Sequence, residues 1–380
     1  MLHKQFDLAI VGAGIVGLAH AYLAAKSGLK VALFERNPAA IGASIRNFGM
    51  IWPIGQPAGA MYATALRSRE IWLEILREAG LPYQPTGSLH AAYRADEAAV
   101  GREFADKARL LGYDCAWLTP KEIIDRSSAL NPDGLSGALW SPVELTVDPR
   151  LVVSQLPAFL NRRYGVEFHF NTAVQDVTMP VLTAGQKTWR ADTVLLAGGD
   201  DYQTLFPELL AGFGLGRCKL QMLRTVPQPE NWQLGPSLAF GLTFRHYPAF
   251  EICASLPALA ARIAEETPEF DRWGIHVMVS ATADGALTLG DSHQYGLGVD
   301  IFDRPEINQL ILDYARRHVQ APTLEIAETW HGVYAKHPDL PYIRYAPAPN
   351  VHGVIVTSGI GMTLSFGLAE QTLAQIGVTA

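Results

Sequence analysis

Cysteine is scarce. Cys115, Cys218 and Cys253 are the only three in 380 residues. They are too few and too widely spaced for a disulfide framework or a cysteine-rich zinc site, which points to a reducing, cytoplasmic setting. Long apolar runs are also missing. No stretch approaches the ~18 apolar residues of a membrane span. The opening MLHKQFDLAIVGAG has no charged segment, apolar segment and cleavage site in order, so a signal peptide is not expected. Basic charge is not in excess: 30 Lys and Arg stand against 37 Asp and Glu, for a net charge of −7. That balance excludes a general nucleic-acid binder and leaves small anionic ligands open, since these need only a local cation. Ser127, Ser128 and Ser136 lack the strand-to-helix glycine context of a nucleophile elbow, so a hydrolase is not expected. Asp291 and His293 show no third ligand at useful spacing, so no metal site is expected. No internal repeat, low-complexity tract or long charge run occurs.

What is present is a soluble globular composition, 49% hydrophobic and 18% charged, in a chain long enough for two packed domains. Its most specific stretch is Leu8–Ala21, LAIVGAGIVGLAHA. A short apolar strand runs into Gly12-x-Gly14-x-x-Gly17. Gly12 permits the turn out of the strand, Gly14 lets the backbone approach a pyrophosphate, and Gly17 lets the following helix lie close to the sheet. That helix is expected over Ile15–Ser27, with its positive end toward the phosphates and Gly28 as its stop. Val31–Phe34 reads as the second strand. Glu35 follows it, where a carboxylate can accept both ribose hydroxyls. Strand, glycine turn, helix, second strand and acid in order point to an adenine dinucleotide.

Later segments discriminate between dinucleotides. They are the loop Gly42-Ala43-Ser44-Ile45-Arg46-Asn47, the Thr172-Ala173-Val174 segment, and the strand from Ala191 to Ala197-Gly198-Gly199. Trp330-x-Gly332 with Pro338-Asp339, and the turn Gly359-Ile360-Gly361-Met362-Thr363, complete the set. Taken together and in this order, they resemble the D-amino acid oxidase-like family of FAD-dependent oxidoreductases. That family includes glycine oxidase, sarcosine oxidase and D-amino acid dehydrogenase, and the likeness runs nearly end to end.

The resemblance implies an α/β (α+β) fold: a Rossmann-like FAD-binding domain interleaved with a substrate domain built on an antiparallel sheet. Residues 1–84, 145–218 and 325–380 would form the first; 85–144 and 219–324 would form the second. Helices are expected over 256–268 and 305–319. The resemblance also assigns cofactor contacts. Gly12, Gly14, Ile15, Val16 and Gly17 would serve the pyrophosphate turn. Glu35 would hold the ribose and Arg36 would flank the adenine. Ser44, Arg46 and Asn47 would contact pyrophosphate or flavin, and Val174 would pair with the adenine. Ala197 and Gly198 would lie along the dinucleotide. Gly332, Gly359, Gly361, Met362 and Thr363 would surround the isoalloxazine. No cysteine stands near Gly332, so a dissociable, non-covalent FAD is implied.

The implied activity is oxidation of the C–N bond of a small, anionic amine, an amino acid, N-alkyl amino acid or aminoalkylphosphonate, with dioxygen or another electron acceptor. No side chain is assigned as a catalytic base. The departures from the family concern the substrate. Where many relatives have W-x-G-x-Arg, this chain has Tyr334, with Lys336 close by, so the carboxylate clamp is moved or replaced. Arg46 serves either an anionic substrate group or FAD. Trp52 either walls the pocket or belongs to the core. His276 either faces the flavin or is an ordinary core or surface residue, and His246 and His293 carry weaker signals still. The run GASIRNFGMIWPIGQ further resembles a subgroup associated with aminoalkylphosphonate use. A flavoprotein acting on a macromolecule, or an electron-transfer FAD subunit, is the alternative.

Overall fold

The computed structural model describes residues 5–377. The strand Gln5–Val11 lies at the centre of an 8-stranded sheet. It pairs in parallel with Val31–Phe34 on one side and Lys187–Leu196 on the other. Glu167–His169 and Val351–Val356 extend the sheet in parallel, and Tyr342–Ala348 closes its edge in antiparallel. All four residues of Val31–Phe34 are buried. A strand covered on both faces needs an unbroken apolar run rather than alternation.

The helix Ile15–Lys26 has buried residues on almost every side. It packs against Gly361–Gln375 and Pro149–Tyr164, and Gly361–Gln375 in turn packs against Ala60–Ala79. Such a helix needs apolar residues all round. It stops one residue short of the expected Ser27, which is its C-cap, and Gly28 follows with φ +90°. Pro149–Tyr164 starts where local chemistry dictates: the Asp148 carboxylate accepts from the amides of Arg150 (3.0 Å) and Leu151 (3.2 Å), and Pro149 takes the first helical position.

The second sheet has 9 strands, in the order Gln294–Gly296, Gly216–Thr225, Leu287–Gly290, Met278–Ala281, Ser237–Phe240, Ser88–Ala92, Gly137–Ser141, Ala116–Leu118, with Ile326–Lys336 also paired to Gly216–Thr225. It departs from the expected antiparallel sheet at one pair, since Ser237–Phe240 runs parallel to Ser88–Ala92. The long strand Gly216–Thr225 crosses position 218/219, and Ile326–Lys336 joins it in this second sheet. The expected helix over 256–268 is two, Leu256–Glu266 and Pro268–Arg272, because Pro268 cannot continue the first. The other is Pro305–His318. Among the described residues no helix is long and apolar enough to cross a membrane.

Between the layers lies a buried carboxylate. Glu144 accepts from the Ile54 amide (3.0 Å) and the Ser88 hydroxyl (2.9 Å), and burial pushes its carboxyl up to about 7. An unfolded chain releases this proton near 4.5. Between these values the folded state holds a proton that the unfolded state has lost, so stability falls as pH rises through the window and levels off above it. We expect denaturant unfolding to show a loss on the order of 3 kcal/mol from pH 5 to pH 8 traceable to this group. Glu144→Gln should flatten that part of the curve. An unchanged slope in the variant would assign the pH dependence elsewhere.

Candidate active site

A cavity of about 760 Å³ runs from the end of the first strand to the second sheet. Its floor at one end is the glycine turn. Gly12 sits at φ +110°, and a Cβ there would stand 2.4 Å from the Ala197 carbonyl oxygen. The turn is thus pressed against the neighbouring strand, and only glycine fits. The helix Ile15–Lys26 begins just beyond, with no side-chain cap and no acidic residue in its first turn. The Ser44 hydroxyl accepts from the Ile15 amide (2.9 Å), tying the 42–47 loop to the helix start. A helix N-terminus left open toward a cavity is a site for an anion such as a pyrophosphate. Gly12, Gly14, Ile15 and Val16 all line the cavity.

Glu35, at the end of the second strand, lines it too. Its carboxylate accepts from the Ala13 amide (3.0 Å) and from the amide and side chain of Asn37 (both 3.0 Å). A carboxylate has about four acceptor positions, so capacity for a ribose hydroxyl remains. Arg36 also lines the cavity and is ion-paired with Asp201 at 2.7 Å. Val174, Ala197 and Gly198 form the facing wall. Asn47 shapes its own loop. Its amide nitrogen donates to the Ala43 and Ser44 carbonyls (2.8 and 3.1 Å), and its oxygen accepts from the Gly49 amide (2.7 Å).

At the far end a second helix, Gly361–Gln375, presents an N-terminus with no acidic first turn and no side-chain cap. Gly359, Gly361, Met362, Gly332 and Tyr334 line the cavity here. Burial drives the Tyr334 phenol well above its ordinary range, so it is a neutral donor. The Arg46 guanidinium donates to the His331 carbonyl (3.3 Å) and has no carboxylate partner among the described residues.

Four expected residues do not line the cavity. Gly17 is a packing residue, since a Cβ there would strike the Gly12 carbonyl oxygen. The Thr363 hydroxyl accepts from the Trp52 amide (2.9 Å) in the interior. Trp52 is 3% exposed and packs on His90 and Tyr247, a core tryptophan rather than a pocket wall. Lys336 stands behind the lining, with its ammonium 5.7 Å from the centre of the Tyr295 ring.

The histidines are where sequence reasoning fell short. His246, His276 and His293 converge on the cavity wall together with Asp291. Ring centres are 3.9 Å apart for His246 and His276, 4.4 Å for His246 and His293, and 5.2 Å for His276 and His293. Asp291 Oδ1 lies 3.1 Å from His276 Nε2, and Oδ2 lies 3.8 Å from His293 Nε2. His293 Nδ1 is 3.1 Å from the Gly274 carbonyl. Ligand atoms of the three histidines all lie within 4.8 Å of one another. Asp291 and His293 therefore do have further partners, contrary to the expectation from spacing. A signal existed: Asp291 and His293 are two apart on an extended run, hence on one face. His276 sits opposite, exchanging backbone hydrogen bonds with Asp291 (3.2 and 2.8 Å). His246, from a short helical turn, could be added only by the fold.

Burial keeps these imidazoles neutral. It lowers His246 and His276 well below the ordinary histidine value and brings His293 down to about 4. The same burial raises the Asp291 carboxyl well above its ordinary value.

The geometry defines a class: a dinucleotide-binding oxidoreductase whose cofactor cradle opens directly onto a polar, desolvated chamber. The model of the FAD dependent oxidoreductase family matches residues 7–375, and the chain belongs to that family, with FAD as cofactor. Glycine oxidase of Geobacillus kaustophilus is 28% identical over 211 residues, 52% of this chain and 55% of that protein. D-amino acid dehydrogenase of Paramagnetospirillum magneticum is 24% identical, over 94% of this chain and 92% of that one. The chain thus matches about half the length of the first of these relatives. Among solved structures, glycine oxidase from Geobacillus kaustophilus superposes with a TM-score of 0.77 at 20% identity, covering 98% of this chain and 95% of that one. L-proline dehydrogenase from P. horikoshii gives 0.78 at 19% identity, covering 100% and 95%. These structural likenesses establish the fold.

Proposed function

We propose that this chain oxidises the C–N bond of a small, anionic amine, with dioxygen or another acceptor reoxidising the cofactor, and that aminoalkylphosphonates head the list of substrates. The carrying observation is one continuous cavity that joins the dinucleotide cradle to a wall of His246, His276, His293 and Tyr334. When bound, FAD supplies the hydride acceptor of the reaction. The protein's part is to hold the amine beside the cofactor, keep water out, and present charge where charge develops. The bare N-terminus of Gly361–Gln375 would offer its amides to negative charge on the bound cofactor. Arg46, free of any carboxylate among the described residues, suits the acidic group of the substrate or the cofactor phosphates. Tyr334, in place of the arginine of many relatives, and the run GASIRNFGMIWPIGQ support phosphonates over simple amino acids.

Anaerobic bleaching of the flavin absorbance tests this reading. The panel pairs each amino acid with its phosphonate counterpart and includes 2-aminoethylphosphonate and its N-methyl form. Phosphonates are expected to bleach the flavin fastest, with uncharged amines inert. Readmitting air then shows whether dioxygen is the acceptor. Bleaching by glycine, sarcosine or D-amino acids alone would replace the phosphonate assignment, and bleaching by no small amine would end the proposal.

A further inference from the structure

The histidine cluster is more polar than a structural core requires. His276 Nδ1 is buried with no hydrogen-bond partner, and leaving such a group unpaired is costly unless something else is meant to meet it. All three histidines line the cavity, His246 half-buried and His276 and His293 buried.

The surroundings say what sign of charge fits. Arg245 and Lys336 both bear on the cluster and oppose its protonation. Arg245 is ion-paired with Asp271. Lys336 is half-buried and has no carboxylate partner among the described residues. Asp291 is the carboxyl in contact with the rings, and its burial favours the neutral acid. His90, Tyr247 and Tyr334, held neutral by burial, and the exposed phenol of Tyr295 complete the titratable surroundings. A half-buried, uncompensated cation beside neutral donors disfavours a divalent metal ion and favours an oxyanion. One nitrogen from each ring, the three within 4.8 Å of one another, suits a head with three oxygens better than a planar carboxylate with two.

We propose that His246, His276 and His293, backed by Asp291, form the subsite for the acidic group of the substrate, and that the cluster takes up a proton from solvent when this group binds. The assignment to a substrate rests on the amine-oxidation reading above. Before an anion enters, the three rings are neutral, with a single N–H on each. An arriving oxyanion supplies the charge that burial otherwise forbids, so one ring gains a second N–H and turns from acceptor to donor. The bound pair is then an imidazolium and an oxyanion, joined by a charge-assisted hydrogen bond. The ligand chemistry is a tetrahedral oxyanion, whether free phosphate or the phosphonate end of an amine.

The test uses the FAD-loaded protein and three probes that cannot be oxidised: methylphosphonate, inorganic phosphate and acetate. Binding is titrated calorimetrically at pH 8 in buffers of different ionisation enthalpy, and the flavin spectrum is followed in parallel. Methylphosphonate is expected to perturb the spectrum and to take up about one proton per site, with acetate binding at least about tenfold more weakly. Phosphate binding as well as methylphosphonate would mean that the head group alone is read; preference for methylphosphonate would mean that the carbon end is read too. His246→Gln should keep its FAD and lose both proton uptake and about tenfold or more in methylphosphonate affinity. His293→Gln is the second variant, should the first fail to hold FAD. Binding without proton uptake, no binding of either tetrahedral anion, or tight stoichiometric Zn²⁺ binding lost in these variants would each overturn the proposal. Bleaching by acidic amines in the same preparation would leave the amine reading standing in those cases. Proton uptake with no bleaching by any amine would overturn the assignment of the anion to a substrate.

Discussion

Gly12→Val is expected to yield a colourless protein. The residue sits at φ +110°, where a β-branched side chain is strained, and its Cβ would stand 2.4 Å from the Ala197 carbonyl oxygen. Neither group can move alone. The Gly12 amide donates to the Phe34 carbonyl (2.8 Å), and the Ala197 amide donates to the Val11 carbonyl (2.8 Å). Relief must therefore come from the turn itself, whose position sets the pyrophosphate end of the cavity. We expect FAD affinity to fall by at least about a hundredfold, measured by flavin retention after gel filtration and by fluorescence titration of the apoprotein. Gly28→Asn is the control. Gly28 has φ +90°, and nothing lies within 4 Å of where its Cβ would stand, so that variant should stay yellow. If Gly12→Val also stays yellow, the glycine turn is not the cofactor cradle.

Trp72→Ala is expected to be the most destabilising single truncation. Trp72, on the helix Ala60–Ala79, is 0% exposed. Its ring meets Phe366 edge-on at 4.8 Å, and its indole N–H donates to the Met362 carbonyl at 2.8 Å. Removing a buried tryptophan costs about 3–5 kcal/mol through lost burial and the cavity left behind. That is a large part of a typical folding stability of about 5–15 kcal/mol. The site should feel the loss as well, because Met362 lies in the first turn of Gly361–Gln375 and lines the cavity. Urea unfolding and FAD titration together check this. Trp72→Phe, which keeps part of the aromatic packing and loses the donor, should cost less, about 1–3 kcal/mol. Equal costs for the two variants would place the stability in the hydrogen bond and not in the packing.

That Gly12, Gly14, Glu35 and Ser44 share one cavity was legible because the turns and helix end that gather them are local. Gly12, Gly14, Glu35 and Ser44 act through backbone turns and helix ends, and those depend on residues near them in the chain. Gly17 and Thr363 belong to the same motifs yet point into the packing, a distinction that spacing does not carry. The substrate half was not legible in this way. Tyr334 and Arg46 stood out as departures from a pattern, but nothing in the chain order said what they faced.

His246, His276, Asp291 and His293 show the division most clearly. Each had an ordinary reading alone, as a core or surface residue. Composition, the glycine turn, the order of strands and helices and the identity of the dinucleotide followed from the sequence, since each rests on backbone conformation set over a few neighbouring residues. The register of Met278–Ala281 against Leu287–Gly290, and the fold that brings the turn carrying His246 against them, were decided by tertiary structure. Only there are the four side chains desolvated together, and desolvation by distant parts of the chain is what gives them their chemistry.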